Sequence, residues 1–420
     1  MSLENLKIIF YWDKNTWYSL GALTASLGQH NIPFKIIKGN IISKIEAALK
    51  DGFQVIYSES TRNMTLPRLR KHLKQITSQI RSSNFVSIIG GPHATGNPAE
   101  ILKMGADLVV IGEGEVTYPQ LIFNLVESKM DYSLFHDFPG IAFIDKTGSI
   151  IVTKERPKID LNLFCPYSSD SRFPIHPPIE LMRGCAFRCR FCQVPYMYGN
   201  PRFRSLQMIQ KIVEHYIDHF QPIKESVDIR FIAPNSLGYM EKKRGVPNFP
   251  ALKELVDQIT SNDVRLFFGT FPSEVRPEYL NEETLSLFDK ASNEFISVGF
   301  QSGSDRILSE MRRGHTVADG LAAYDLLTSQ NYIPIFDFIL GSPSETIQDQ
   351  WETLNLIRQF RGKAKVRLHY LMPLPGTPWS EVTPVPLGQE ILAEIGRLAK
   401  SEIIMGEFIK QMKFNTIQSD

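Results

Sequence analysis

Three of the four cysteines stand within eight residues, as Cys185-Ala186-Phe187-Arg188-Cys189-Arg190-Phe191-Cys192. The spacing C-x3-C-x2-C puts three soft thiolates close enough to wrap one metal centre. A structural zinc takes four protein ligands, and no fourth Cys or His follows at finger spacing. Three thiolates therefore point to a 4Fe–4S cluster with one iron left open for a small ligand. The plain alternative is three cysteines packed as small apolar residues, which the interleaved Arg188 and Arg190 fit poorly. Cys165 stands alone and is expected to be inert packing. No side chain is singled out as a catalytic acid or base.

Glycine-rich turns form a second group. Gly90-Gly91-Pro92-His93-Ala94-Thr95 and Gly112-Glu113-Gly114-Glu115 each end an apolar run. Glycine loops at adjacent strand ends make the crevice in which doubly wound sheets bind cofactors. Neither loop is specific by itself, and the dinucleotide fingerprint G-x-G-x-x-G is missing. Further along, Gly299-Phe300-Gln301-Ser302-Gly303-Ser304-Asp305-Arg306 and Gly341-Ser342-Pro343-Ser344-Glu345-Thr346 also follow apolar runs.

The elements that must position these residues alternate. Strand-like runs at Lys7–Tyr11, Phe34–Ile37, Gln54–Tyr57, Val86–Ile89 and Leu108–Ile111 are separated by helical patterns at Leu20–His30, Leu66–Ser82 and Pro98–Met104, with another at Tyr118–Glu127. This predicts a parallel, doubly wound α/β domain, closed by a hairpin of Ile141–Ile144 and Ile150–Thr153. Phe164–Pro178, rich in proline and serine, reads as linker. A second series follows, with strands at Ile179–Arg183, Val227–Ile232, Arg265–Phe268, Phe295–Gly299, Ile335–Leu340 and Lys365–Leu371. Helices at Leu206–His219, Leu252–Ile259, Thr284–Ala291, Ala318–Ser329 and Gln348–Arg361 separate them. Six such units suggest a partial (βα)6 barrel with its active residues at the C-terminal strand ends. Gln389–Lys413 reads as a helical tail. The expected domains are 1–150, a linker 151–177, a barrel 178–385 and a helical extension 386–420.

Composition narrows the class. With 46 Lys+Arg against 45 Asp+Glu, the net charge of +1 offers no global field for nucleic acid or an anionic membrane. No apolar stretch approaches the length of a membrane helix, and Met1–Asp13 does not read as a signal peptide. Clustered cysteines without a disulfide framework fit a reducing compartment, so a cytoplasmic protein is expected.

The cysteine loop, placed after the first strand of a six-stranded barrel, resembles that of the radical S-adenosylmethionine (SAM) superfamily. Gly299–Arg306, Met311–Thr316, Gly341–Thr346 and Pro373–Pro378 look like the barrel of its methylthiotransferase and Elongator-type branches. Over about 178–380 the resemblance implies Cys185, Cys189 and Cys192 as cluster ligands and SAM on the open iron. It places Phe191 against the adenine, and Gln301, Ser302, Gly303, Ser304, Gly341, Pro343 and Glu345 around the rest of SAM. The Gly-Gly-Glu piece that often binds the SAM amino group is absent; Pro234-Asn235-Ser236 stands in its place. Ser344 replaces the usual glycine of the fifth-strand motif.

Ahead of such a barrel, residues 5–130 resemble the cobalamin-binding domain of cobalamin-dependent radical SAM enzymes. That implies corrin contacts at Ser19, Leu20, Gly21, Ser58, Ser60, Thr61, Gly90, Gly91, Pro92 and His93, and at Gly112, Glu113, Gly114 and Glu115. No histidine sits in the Asp-x-His-x-x-Gly pattern that ligates cobalt from below, so cobalamin is expected without a histidine ligand from this chain, His93 hydrogen-bonding its surroundings instead. A domain that holds no corrin is the alternative.

The implied function is a methyltransferase acting at an unactivated centre, with a 4Fe–4S cluster, SAM and cobalamin as cofactors. A cyclase, oxidase or rearrangement enzyme using both cofactors is a second possibility. A methylthiotransferase-like enzyme is a third, which as a class carries a further three-cysteine domain that this sequence does not show. A non-enzymatic cobalamin sensor is the fourth, and a sensor has no need of a cluster barrel. The expected partners are a small-molecule or peptide substrate and an external one-electron reductant of flavodoxin or ferredoxin type, with no nucleic acid and no membrane.

Overall fold

A computed structural model describes residues 3–13, 16–165, 178–221 and 225–419. The chain divides into two compact units, Met1–Pro177 with Leu374–Gly376, and Pro178–Pro373 with Thr377–Asp420. The proline-rich stretch 166–177 lies outside the described residues.

The first unit is built on β1 (Leu6–Tyr11), β2 (Phe34–Ile37), β3 (Gln54–Ser60), β4 (Phe85–Gly90) and β5 (Leu108–Val110), followed by the hairpin β6 (Ile141–Ile144) and β7 (Ile150–Val152). The order is β2-β1-β3-β4-β5-β6-β7, parallel through β5 and antiparallel thereafter. This is the doubly wound order with its switch point between β1 and β3. Each strand is apolar on both faces because helices cover both: Ile8, Ile56, Ile88 and Leu108 bury on one side, Ile9, Val55, Ile89 and Val109 on the other.

Three details depart from the sequence reading. A helix at Ile41–Lys50 was not expected; Asn40 caps it by accepting from the Ser43 amide at 3.2 Å, and Ile41, Ile42, Ile45 and Ala48 bury its inner face. The helix read as Tyr118–Glu127 begins at Gly114, so Gly114 and Glu115 form its first turn rather than a loop. Residues 151–165, read as the start of the linker, include the end of β7 and a segment in which the Ile159 amide donates to Glu113 Oε2 at 2.8 Å and Leu161 is buried.

The second unit contains β8 (Ile179–Glu180), β9 (Met182–Arg183), β10 (Arg202–Phe203), β11 (Val227–Ile232), β12 (Val264–Phe267), β13 (Phe295–Gln301), β14 (Ile333–Leu340), β15 (Lys365–Tyr370) and β16 (Ile404–Met405). Parallel sheets β12-β11-β8 and β13-β14-β15-β16 are joined through Val275, whose amide donates to Ser297 O at 2.9 Å and whose carbonyl accepts from the Gly299 amide at 3.0 Å. The result is an open, partial parallel barrel. The first barrel strand, expected as one run, breaks at Leu181: β8 pairs with β11 and β9 turns to pair antiparallel with β10. The tail adds β16 to the sheet, which its helical pattern did not show.

Alternation along β14 and β15 assigns their faces. Phe336 and Phe338 pack against Phe300 and Phe360 on the helix-covered side. Asp337 and Ile339, paired in register with Arg367 and His369, take the opposite, lumenal face. No described helix is long and apolar enough to cross a membrane.

Candidate functional site

An ion triad anchors the cysteine loop to the barrel. Glu180, at the end of β8, accepts from Arg183 Nε at 2.9 Å and lies 3.2 Å from Arg204 Nη2. Burial works to raise the Glu180 carboxyl, and the two guanidiniums more than offset this and hold it below its ordinary range. Gly184 follows at a φ of +88°, and a Cβ there would overlap the Asn200 and Gly199 carbonyl oxygens. Only glycine lets the chain turn into the loop at this point.

The loop folds back on the barrel. Its Cys185 amide donates to Gly199 O at 3.1 Å, Cys192 N to Cys189 O at 3.2 Å and Arg190 N to Met311 O at 3.1 Å. All three cysteines are free thiols, Cys189 buried and the other two half-buried. Among the described residues no three His, Cys, Asp or Glu side chains converge on a single metal ion. The thiols nevertheless sit close enough for Cys189 to raise the pKa values of both Cys185 and Cys192. Burial pushes Cys185 up and Cys192 up to about 12, so each needs the charge of a metal to ionise near neutral pH.

Positive charge surrounds Cys189. Arg313 Nη1 donates to its Sγ at 3.5 Å and Nη2 to Gly299 O at 2.7 Å, while Arg313 Nε is buried without a partner among the described residues. Arg276 donates to the Arg313 carbonyl oxygen and lies 3.5 Å over the Phe187 ring. Glu278 balances the pair: it bonds Arg276 Nε at 2.6 Å and sits 3.4 Å from His315 Nδ1. Burial would raise Glu278, but His315 and Arg276 bring it down to about 2. None of Arg276, Glu278 and Arg313 was named as a site residue from the sequence. The motif at Met311–Thr316 was the signal available for Arg313 and His315.

The residues proposed around SAM divide into two sets. Gln301 ends β13 in a left-handed conformation at a φ of +80°, after a register shift against β14, and its Nε2 faces Gly299. A non-glycine residue held there is overdetermined by its surroundings. Ser302, Gly303 and Ser304 are also tied to the frame. Gly303 packs against the backbone of Thr353, whose hydroxyl accepts from the Gly303 amide at 2.9 Å, and Ser304 Oγ donates to Asp349 at 2.6 Å. Past β14, Gly341 has a φ of +91°, and its amide donates to Glu345 Oε2 at 2.5 Å. Ser342 Oγ is buried there with no partner among the described residues, so a polar acceptor or donor fits that point. Ser344 is not among the positive-φ residues, so this turn does not require the glycine that it replaces. Phe191 joins an apolar cluster with Ile307, Met311, Leu371 and Trp379. Asn235 and Ser236, in place of the missing glycines, are tied to the segment after β12: Ser236 Oγ donates to Ser273 O at 2.8 Å and Arg276 N to Asn235 Oδ1 at 3.2 Å.

In the first unit the expected corrin residues gather at one edge, the C-terminal ends of the parallel strands. Ser58, Ser60 and Thr61 end β3, Gly90 to His93 follow β4, Gly112 to Glu115 follow β5, and Ser19, Leu20 and Gly21 lie in the helix after β1. Gly91, at a φ of +97°, would meet Ser60 Oγ if it carried a Cβ, whereas Gly112 faces open space. Ser60 Oγ is buried and unpartnered among the described residues. An edge of bare backbone with one orphaned hydroxyl suits a polar cofactor. His93 is committed elsewhere: Nδ1 meets Asn63 Oδ1 at 2.7 Å and Nε2 meets Glu100 Oε2 at 2.9 Å. Ser58 pairs with Tyr118 at 2.5 Å.

Comparison with known proteins agrees with this geometry. Residues 179–357 match the Radical SAM superfamily, so the chain carries a radical SAM domain, whose cofactors are a 4Fe–4S cluster and SAM. A tRNA-2-methylthio-N(6)-dimethylallyladenosine synthase of Sulfurihydrogenibium sp. (strain YO3AOP1) is 28% identical over 226 residues, covering 52% of this chain and 48% of that protein. The chain thus spans about half the length of that relative. Among solved structures, the cobalamin-dependent S-adenosylmethionine radical enzyme OxsB, with aqua-cobalamin and S-adenosylmethionine bound, aligns with a TM-score of 0.68 at 16% identity, over 96% of this chain and 58% of its own. The radical S-adenosylmethionine methyltransferase TsrM from Kitasatospora setae, with cobalamin and a [4Fe-4S] cluster bound, also gives 0.68 at 16% identity, over 90% and 74%. At that identity the likeness is one of fold.

Proposed function

We propose that this chain is a cobalamin-dependent radical SAM enzyme that transfers a methyl group to an unactivated carbon or phosphorus. One observation carries the reading: a 2-1-3-4-5 sheet with glycine-lined strand ends precedes a barrel whose first strand delivers three cysteines. When bound, the cluster supplies the electron that cleaves SAM to methionine and a 5′-deoxyadenosyl radical, and the corrin supplies a methyl carrier. Cys185, Cys189 and Cys192 would hold the iron, and Arg313 would stabilise the thiolate charge at Cys189. Gln301, Gly341 and Ser342 would offer polar groups to SAM, and the edge formed by Ser60, Gly91 and Gly112 would receive the corrin. The two solved structures named above hold bound cobalamin, which supports the corrin.

A methylthiotransferase is the second reading, favoured by the tRNA-modifying relative. Against it, the first unit contains a single cysteine, Cys165, where that class holds a further cluster. The substrate is proposed to be a small molecule or peptide, the electron donor a flavodoxin or ferredoxin, and the compartment cytoplasmic. The test is product analysis under anaerobic turnover with hydroxocobalamin and reductant. Methyl transfer yields S-adenosylhomocysteine and 5′-deoxyadenosine in matched amounts. Sustained deoxyadenosine and product without S-adenosylhomocysteine would leave the non-methylating cyclase or oxidase instead.

A further inference from the structure

The cysteine loop lies in a stretch of one charge sign. From Leu181 to Val213 the sequence holds six Arg and Lys and no Asp or Glu, in a chain whose total charge is nearly balanced at +1. Arg183 and Arg204 of that stretch are engaged by Glu180. Arg188 is exposed and Arg190 half-buried, and the two flank Cys189 in the chain. Arg188 Nη1 rests on the Pro195 carbonyl oxygen at 3.5 Å, with no carboxylate.

Two other segments bring further cations to the same loop. The exposed Arg312 follows Met311, whose carbonyl oxygen accepts from the Arg190 amide at 3.1 Å. The Arg312 carbonyl oxygen itself lies 3.8 Å from Cys189 Sγ. Lys242, Lys243 and Arg244 are exposed on one turn. Arg244 sits 5.1 Å over the Phe187 ring, and a Cβ at Gly314 would meet Phe187 and Arg244 together. The turn is fixed in place: the Gly245 amide donates to the Tyr279 hydroxyl at 2.9 Å, and that hydroxyl donates to Glu241. The neighbouring acids have other partners, Glu278 with Arg276 and Glu310 with Ser344. Arg188, Arg190, Arg312, Lys242, Lys243 and Arg244 form no ion pair among the described residues. Unpaired like charges around one loop repel one another and add nothing to folding, but they attract and orient a partner of opposite sign.

We propose that Arg188, Arg190, Arg312 and the Lys242–Arg244 turn form the docking face for the one-electron donor, a small redox protein with an acidic surface. The proposal rests on the radical SAM reading, which makes the cysteine loop the place where an electron enters. One electron leaves the donor's reduced flavin or iron–sulfur centre and enters the cluster held by Cys185, Cys189 and Cys192, and no atom is transferred. A donor gains from this position because Arg188 and Arg190 flank Cys189 itself, which shortens the electron's path. RNA is also drawn to positive charge, but a polyanion needs a broad field, and the net charge of +1 offers none.

Carbodiimide cross-linking of the full-length reconstituted chain to purified flavodoxin, and separately to a [2Fe–2S] ferredoxin, locates the face. Peptide mass spectrometry should join Lys242 or Lys243 to carboxylates of at least one donor. Calorimetric titration should show binding that weakens about tenfold between about 50 and about 300 mM NaCl. Lys242→Glu combined with Lys243→Glu should weaken it about tenfold at the lower salt. Lys211→Glu, an exposed change on the helix Leu206–Phe220, should stay within about twofold. Deoxyadenosine release driven by dithionite, which needs no docking, should be equal in the wild-type chain and the double variant, while release driven by the bound donor should fall with the affinity. Binding to neither donor, cross-links that avoid Lys242 and Lys243, or equal affinity in the double variant would overturn the proposal. So would retention of a tRNA transcript in place of both donors. Loss of dithionite-driven release in the wild-type chain would instead count against the radical SAM reading, so the two failures stand apart.

Discussion

Arg313 reaches Cys189 with one guanidinium nitrogen and Gly299 with the other, at 3.5 Å from Nη1 to Sγ and 2.7 Å from Nη2 to the carbonyl oxygen. Hydrogen bonds to cluster sulfurs raise reduction potential by stabilising the added electron. A charge-assisted hydrogen bond is worth about 1.5–3 kcal/mol, which for one electron is roughly 60–130 mV. Arg313→Gln should therefore move the cluster potential more negative by about that amount, read by redox titration with electron paramagnetic resonance. Arg313→Lys should restore part of it. An unchanged potential in Arg313→Gln would show that the contact to Cys189 has no electronic role.

Gly184 should tolerate no side chain. Its left-handed backbone alone costs an alanine about 1–2 kcal/mol, and overlap with the carbonyls of Gly199 and Asn200 must also displace the loop. Gly184→Ala should lose most of its iron on reconstitution. Gly245→Ala, with a φ of +82° but open space around it, should keep its iron and lose only the backbone contribution. Equal iron in both variants would refute the steric account.

Little of this could be read from spacing alone. The parallel strands of both units were legible because buried strands are continuous apolar runs and helices alternate with them. The cysteine loop was legible because three thiols in eight residues have few uses. Arg276 and Glu278 were not, since both lie between β12 and β13 and meet Arg313 and His315, which stand more than thirty residues further along the chain. The helix at Ile41–Lys50 was missed although Ile41, Ile42, Ile45 and Ala48 follow helical spacing on its buried face. Ser302, Gly303 and Ser304 form a glycine–hydroxyl loop of the kind that approaches ligands, yet their contacts serve the helix at Ile347–Gln359.

That helix supplies a pH prediction. Asp349 closes its capping box with Thr346 and accepts from Ser304 at 2.6 Å. Burial works to raise its carboxyl, but hydrogen bonds from Arg306, Ser304 and Thr346 hold it well below the usual range. A carboxyl depressed in the folded state adds stability above its unfolded pKa and loses it as pH falls through the folded one. Arg306 is half exposed, so water screens its share. Asp349→Ala should cost about 2 kcal/mol at neutral pH, shrinking toward acid. Urea unfolding at several pH values measures it, and a loss that grows on acidification would contradict the assignment.

Both ring nitrogens of His93 are occupied, by Asn63 and Glu100. The full chain should therefore bind hydroxocobalamin without nitrogen ligation from the protein. Electron paramagnetic resonance of the reduced cobalt should show no nitrogen superhyperfine splitting, and His93→Ala should leave that spectrum unchanged. A splitting that disappears in His93→Ala would place the histidine on cobalt and reverse this prediction.

The central claim is that Cys185, Cys189 and Cys192 hold a 4Fe–4S cluster that cleaves SAM. The direct measurement is 5′-deoxyadenosine release after anaerobic reconstitution and reduction, with iron and sulfide determined on the same samples. The wild-type chain and Cys165→Ala should carry the cluster and release deoxyadenosine, and alanine at any of the three loop cysteines should abolish both. Full iron and sulfide in Cys189→Ala, or deoxyadenosine from it at the wild-type rate, would contradict the assignment.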